Sequence, residues 1–415
     1  MAGLNPSPWP ADSADYIATA AAVTPTSRAQ VGTLSAFGVW TWTDVATSGG
    51  VVTLSERSYP IGSAEITIHN PPAAVATALA SPLSKTALRI FAGYDRPGLA
   101  AFDAPIFHGV LQSATLVLEG NDTAATSTAA TLSYATRWAT FDALLDSIVY
   151  TEPDWTPPSP DLYTSFTDPT YTPKSLTQHF LPVKFTLSLG GYAMLADPDL
   201  PSRVLKTGDR ILDYLVLVAS ALKPDANTML LWVDQATTPD GWSVPFTLRH
   251  RSEFTSTAYW SPVWSRCEQQ ADLSEAATAL RLSVTSGDTS ANGVSYPDAP
   301  FQLGVTPLGA AKIGTRDWPD ATPRQHLGAA EFQASPGDLT PAGGVNMYSQ
   351  MATRAITAAR ARDRRWLITT RAAWWLKPRD PVRITTLPGV TVDGVASEYR
   401  VDLDTGLMTT TVRTT

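Results

Sequence analysis

Few residues in this chain have the type and spacing that chemistry demands. The five histidines, His69, His108, His179, His250 and His326, are scattered, and none pair at His-x-x-x-His or another ligand spacing. His69 and His108 fall in β-prone runs, where a packed or surface histidine is the ordinary reading. There is no Gly-x-Ser-x-Gly, no Walker-type glycine loop and no cysteine cluster. The single cysteine, Cys267, has no neighbouring histidine to activate it and reads as a small core residue. Carboxylates are harder to dismiss, because a glycosidase needs only two acids at a suitable separation. Glu152, Asp154, Asp161 and Asp168 lie in a loop with Trp155, Tyr163, Phe166 and Tyr171, which is the composition of a sugar subsite. Acids beside Pro and Thr are also ordinary loop solubilisers, and that reading is preferred. No catalytic residue, metal ligand or cofactor is therefore expected.

Binding chemistry is better represented. Thirteen tryptophans suit stacking on sugars or packing at subunit contacts. Trp40, Trp42, Trp138, Trp366, Trp374 and Trp375 lie on expected elements and read as core or interface. Trp155, Trp242, Trp260, Trp264 and Trp318 lie in expected loops, where interface packing and glycan contact compete. The arginines from Arg354 to Arg371 form the basic cluster of the chain. Arg354, Arg360, Arg364 and Arg365 lie off the apolar stripe of their segment and fit salt bridges to a neighbouring subunit. Together with Trp155, Tyr163, Phe166 and Tyr171 they make the candidate subunit interface.

Composition bounds what carries these groups. A chain of 415 residues exceeds one ordinary core, so two to four domains are expected. Net charge −8 and pI near 5.1 argue against a general nucleic-acid binder. No apolar run is long enough to span a membrane, no signal peptide is expected, and one cysteine suits a reducing cytoplasm.

Along the chain, Pro6, Pro8, Pro10 and Pro25 mark residues 1–27 as an extended arm, either disordered or clamped on a neighbour. Strands are expected at Val31–Thr43, Val51–Leu54, Ala64–His69, Leu88–Tyr94, Ile106–Leu111, Thr115–Leu118 and Thr128–Tyr134, a barrel-like series over 28–136. Trp138, Phe141, Leu144, Leu145 and Ile148 recur at helical spacing and predict a helix over Arg137–Val149. The Pro- and aromatic-rich stretch to residue 173 reads as an ordered loop. A mixed middle region, 174–278, holds a buried helix from Asp209 to Leu222 and strands at Met229–Val233 and Ser243–His250. From 279 the strands resume, opening with Leu280–Val284. A long Gly-, Pro- and Asp-rich insertion follows at 286–342, then a helix over Asn346–Arg365. Strands are then expected at Trp366–Thr370, Ala372–Leu376, Pro381–Thr385, Val395–Val401 and Leu407–Val412, with turns at Pro388-Gly389 and Asp404-Thr405-Gly406.

Two pieces of this order resemble a known family. The layout Leu88-Arg89-Ile90-Phe91-Ala92-Gly93-Tyr94, then Ile106-Phe107-His108-Gly109-Val110-Leu111, resembles the first barrel of tail-hub proteins, the baseplate hub or tail-associated minor tail proteins of tailed bacteriophages. The C-terminal block, an Ala- and Arg-rich helix, a Trp-Leu-Ile-Thr-Thr strand and Leu376-Lys377-Pro378-Arg379-Asp380-Pro381-Val382-Arg383-Ile384, looks like the family's "Leu-x-Pro-Gly-Asp-x-Val-x-Ile". Arg379 stands where the family more often has Gly, which requires another turn type there. The resemblance covers about 28–136 and 279–415. It implies a mainly β chain in which two similar antiparallel β-barrel domains flank a mixed α/β middle region.

The function so implied is a structural virion protein, without catalysis, at the distal end of the phage tail. It would be a homotrimer closing the tail tube, passing DNA during ejection without binding it. Its partners would be the distal tail protein, the tape measure protein and tail-tip or receptor-binding proteins, assembled in the host cytoplasm. A glycan-binding or glycan-cleaving tail protein and a hexameric distal tail protein are the alternatives.

Overall fold

The computed structural model describes residues 16–155 except 18, 21–22, 36–38, 56–59, 82–85, 96–101, 120–130 and 144–148. Beyond these it describes 184–188, 205–213 except 211, 229–233, 243–250, 259–271, 279–285, 303–305, 310–317 and 364–414 except 379. Within them the chain is mostly β. The strands and helix are β1 (Thr24–Leu34), β2 (Trp40–Ser55), β3 (Gly62–His69), α1 (Ala73–Ala80), β4 (Thr86–Asp95), β5 (Phe102–Glu119) and β6 (Thr131–Thr140). There follow β7 (Lys184–Ser188), β8 (Met229–Val233), β9 (Ser243–His250), β10 (Trp264–Ala271), β11 (Ala279–Thr285), β12 (Leu303–Val305) and β13 (Ala310–Asp317). The last four are β14 (Arg364–Arg371), β15 (Pro381–Leu387), β16 (Val390–Asp402) and β17 (Leu407–Thr414).

Eleven strands form one antiparallel sheet in the order β1-β4-β5-β6-β3-β2-β16-β17-β14-β10, with β15 on β16. Because β1 also pairs β2, the first six strands close on themselves in a ring. Strong alternation explains the central members. In β3, Ala64, Ile66 and Ile68 are buried while Glu65 faces out, the signature of a half-buried strand. One apolar cluster runs from Val31, Ile68, Leu88 and Phe107 to Ile368, Trp375, Ile384 and Met408, so both ends of the sequence share a core.

Several expectations are corrected. Val31–Thr43 is not one strand: β1 ends at Leu34, which pairs antiparallel with Trp40 of β2, and the Ser35 amide donates to the Val39 carbonyl at 2.9 Å. Strand β1 begins at Thr24, inside the stretch expected to be an arm, and Arg371 donates to the carbonyls of Ile17 and Ala20 at 3.2 and 2.6 Å. The helix expected from Arg137 fails at its start, where Arg137–Thr140 complete β6, gripped by β3 and β5 on its two edges. Two ladders outweigh a spacing of apolar residues that a strand end and a turn also satisfy. Residues 144–148 of that expected helix lie outside the described residues. The expected strand Ala372–Leu376 is instead a turn buried on all sides, with the Leu376 amide on the Ala373 carbonyl at 2.9 Å. A run buried at every position carries no alternation, so its period could not be read.

Leu280–Val284, expected to open the C-terminal unit, pairs with β13 in a separate three-stranded sheet, β11-β13-β12. Its place beside β14 is taken by β10, whose polar sequence Trp264-Ser-Arg-Cys-Glu-Gln-Gln-Ala hides a strand. A third sheet, β7-β9-β8, contains a parallel pair, and β8 and β9 coincide with the expected Met229–Val233 and Ser243–His250. Helix α1 was not expected at all. Asn70, at φ 42°, turns the chain after β3, and Pro72 starts eight alanine-rich residues that bury Val75, Ala78 and Leu79.

Candidate functional site

The two halves of the large sheet repeat each other pair by pair. In β5–β6, Gly109 opposes Thr140, Val110 opposes Ala139 and Leu111 opposes Trp138; after a bulge, Ser113 opposes Arg137. In β16–β17, Gly394 opposes Thr414, Val395 opposes Arg413 and Ala396 opposes Val412; after a bulge, Glu398 opposes Thr411. The neighbouring strands keep the correspondence. Leu88 faces Gly109 and Arg89 faces His108, as Val382 faces Gly394 and Arg383 faces Asp393. All seven pairs of β3 with β6 match those of β14 with β17, from Ser63↔Ala139 against Arg365↔Arg413 to His69↔Ser133 against Arg371↔Leu407. Strand β10 takes the place of β2, with Glu268, Gln269, Gln270 and Ala271 standing where Val51, Val52, Thr53 and Leu54 do.

The repeat has a steric cause at the glycines. A Cβ on Gly109 would lie 2.2 Å from the Ala139 carbonyl oxygen, and one on Gly394 would lie 2.2 Å from that of Arg413. Backbone approaches backbone there, and each strand bulges two residues later. The paired arginines are also used alike. Arg89 lies over the Trp42 ring at 4.1 Å and donates to Gln30 Oε1 at 2.6 Å. Arg383 lies over Tyr259 at 4.4 Å and grips Asp393 with two hydrogen bonds of 2.7 and 2.8 Å. That grip holds the Asp393 carboxyl below its ordinary range. The recurring Arg-Ile and Gly-Val pairs, Arg89-Ile90 with Gly109-Val110 and Arg383-Ile384 with Gly394-Val395, were the sequence signal for this repeat.

Where the halves meet, β16 adds to the free end of β2, with Tyr399 opposite Leu54 and Val401 opposite Val52. All four are buried. Beyond them the Leu403 amide donates to the Gly50 carbonyl at 2.8 Å, and the Gly49 amide donates to Asp404 Oδ2 at 2.9 Å. A Cβ on Gly50 would meet Leu403 at 2.5 Å, so the glycine lets the seam close.

The residues singled out for chemistry are placed as structural groups. His108 is buried between Trp42 and Phe141, with ring centroids 5.9 and 6.5 Å away, and His69 Nε2 lies 2.6 Å from Ser48 Oγ. Asp154 Oδ1 accepts from the Thr207 amide at 3.2 Å, and the Glu152 backbone carbonyl accepts from the Thr207 hydroxyl at 2.5 Å, so the Asp154 carboxylate and the Glu152 main chain hold a turn. Trp155 makes a two-way backbone bridge with Leu205 at 2.9 and 2.8 Å. Cys267 is half-buried opposite Ile368, and burial pushes its thiol up, away from a reactive thiolate. Trp260 and Trp264 are not free loop residues: Trp260 is buried and bridges Val382, and Trp264 opens β10 with its indole on the Thr385 carbonyl at 3.0 Å. Arg364 and Arg365, expected in a helix, lie in β14, because pairing with β17 and β10 continues to the strand's first residues. Tyr163, Phe166, Tyr171, Arg354, Arg360, Asp161 and Asp168 lie outside the described residues. Asp142, which sequence reasoning missed, is wholly buried, and its Oδ2 accepts from the Ile61 amide at 2.6 Å. Desolvation pushes its carboxyl from 3.8 up to about 6.

Comparison with other proteins yields a fold. No protein-family model matches the sequence, and no curated protein is similar to it in sequence. Among solved structures, the chain is similar to the tail protein from Neisseria meningitidis MC58, with TM-score 0.54 and 10% identity over 93% of this chain and 96% of that one. It is also similar to a chain of the Francisella PdpA-VgrG complex, with TM-score 0.51 and 8% identity over 96% of this chain and 59% of that one. The 43 kDa tail protein of prophage MuSo2 from Shewanella oneidensis aligns over 93% of this chain and 98% of that one, at TM-score 0.49 and 8% identity. At such identities the likeness is one of fold, and it extends over nearly the whole chain. Among the described residues, no helix is long and apolar enough to cross a membrane.

Proposed function

We propose that this chain is a structural protein of a bacteriophage tail tip, a hub or minor tail protein that closes the distal end of the tail tube. In this reading the two register-matched halves are equivalent barrel units. Three copies alternate them around a channel, so that a threefold object caps a sixfold tube and passes DNA during ejection. The observation that carries it is the pairwise repeat of β3–β6–β5–β4 in β14–β17–β16–β15, and the fold shared with a tail protein over almost the full length supports it. Net charge −8 suits a wall past which DNA slides, although screening confines the effect to within roughly 8–10 Å. The distal tail protein, the tape measure protein and tail-tip or receptor-binding proteins would be its neighbours.

The chain has no catalytic part in this proposal. Its test is the copy number, by native mass measurement of the purified chain and by quantitation in virions. Three copies are expected. Six would mark a distal tail ring, and a monomer with sugar affinity would replace the proposal with a glycan-binding one.

A further inference from the structure

Among the described residues, the repeat leaves one strand edge of each kind without a strand partner. In the C-terminal half, the end of β16 beyond the bulge is covered by β2, and Val401 and Leu403 are 1% and 6% exposed. The register-matched residues of β5 are Leu116 and Leu118, and they are 48% and 61% exposed. Val117 between them is exposed as well, so three consecutive apolar residues stand on the projecting end of β5. Among the described residues, β5 pairs with β4 only up to Val110, and past that point β6 is its one strand partner. A long apolar edge of this kind is a template for another strand.

The complementary edge is on β10. Val51–Leu54 of β2 present to β16 the edge that faces away from β3. Glu268–Ala271 of β10 occupy the matching positions beside β14, and among the described residues their other edge has no strand partner. Each chain thus makes one β16-to-β2 seam and carries the two halves of a second.

We infer that β5 of one copy adds to β10 of the next, antiparallel and in the register of the internal seam. Ala114 then opposes Ala271, Thr115 opposes Gln270, Leu116 opposes Gln269 and Val117 opposes Glu268. The occupant is a second copy of this chain, because only that copy offers an edge already matched to the one β16 uses. The contact is head-to-tail, and a rotation of one third of a turn at each step closes it into a ring of three. This rests on the hub-ring reading and supplies its strand-level contact.

The experiment uses the full chain with Cys267→Ala. Chains carrying Thr115→Cys alone and Gln270→Cys alone are mixed and oxidised. Thr115 is exposed and Gln270 half-buried, as their counterparts Arg400 and Thr53 are in the internal seam. Directly opposed Cα atoms of an antiparallel pair lie about 4.5–5.5 Å apart, within disulfide reach. Cross-linked dimers are expected only in the mixture, and the doubly substituted chain is expected to close as a covalent trimer without a longer ladder. Thr115→Cys with Glu268→Cys, diagonal neighbours roughly 7–8 Å apart, should link far less. Leu116→Asp should raise the dissociation constant of the oligomer at least about tenfold while the melting temperature of the single chain holds. A trimer that forms with no link between 115 and 270 overturns this contact and leaves the ring standing. A chain that stays monomeric at every concentration overturns both.

Discussion

At the scale of single residues, buried Asp142 and Thr140 hold the backbone through the Ile61 and Gly62 amides. Asp142 makes the sharpest case. Its folded pKa is raised from 3.8 to about 6, so the native state keeps a proton that the unfolded chain has released. Stability therefore falls as pH rises across that window, by roughly 3 kcal/mol at most from this group. Asp142→Asn keeps the acceptor for Ile61 and cannot ionise. Urea unfolding of the two proteins at pH 4 and pH 7 should show the parent losing its advantage over the variant; a constant difference would refute this account. The acids of the aromatic loop belong to the same scale. Because Asp154 already caps the Thr207 turn, Asp154→Asn with Asp161→Asn should leave infectivity within a few-fold of the parent, measured by plaque titre. Lost cell-wall degradation in that double variant would return the chain to the glycan-cleaving class.

At the scale of elements, the glycines set where strands cross. A methyl at Gly109 or Gly394 meets a carbonyl oxygen of the partner strand, which no rotamer change can move aside. Either Gly→Ala change should cost about 1–3 kcal/mol in denaturant unfolding, as overpacking does. At Gly49, whose added Cβ touches nothing, the cost should instead come from its φ of 63°. An effect at 109 or 394 no larger than that of an ordinary surface substitution would show that the strand crossing yields. Element type was legible where burial was one-sided, as in β3. It failed at Arg137–Thr140, whose two edges are paired by β3 and β5, and at Ala372–Leu376, which is buried at every position and so shows no period.

At the scale of the whole molecule, the repeat gives one chain a single β16–β2 seam and, on β5 and β10, the register-matched edges that the proposed ring would join. Copy number is the measurement that belongs here: three chains per tail are expected. In the proposed ring an acidic chain would surround the axis, and its charge would favour sliding of DNA over capture at the salt of the cell.

The sequence by itself determined that the chain is mainly β and where most of its strands run, because alternation, turn residues and β-branched runs are local properties. It also carried the landmarks of the repeat, in Arg-Ile and Gly-Val recurring in both halves. Only the tertiary structure decided that polar β10, rather than the apolar strand at 279–285, completes the C-terminal half. It alone decided that Arg364 and Arg365 are strand residues, and that β16 crosses to β2 while, among the described residues, the end of β5 past Val110 pairs with β6 alone. Those outcomes depend on which edges meet across about 350 residues of chain. Edge pairing is made by backbone groups that every residue shares, so the side-chain pattern does not name the partner.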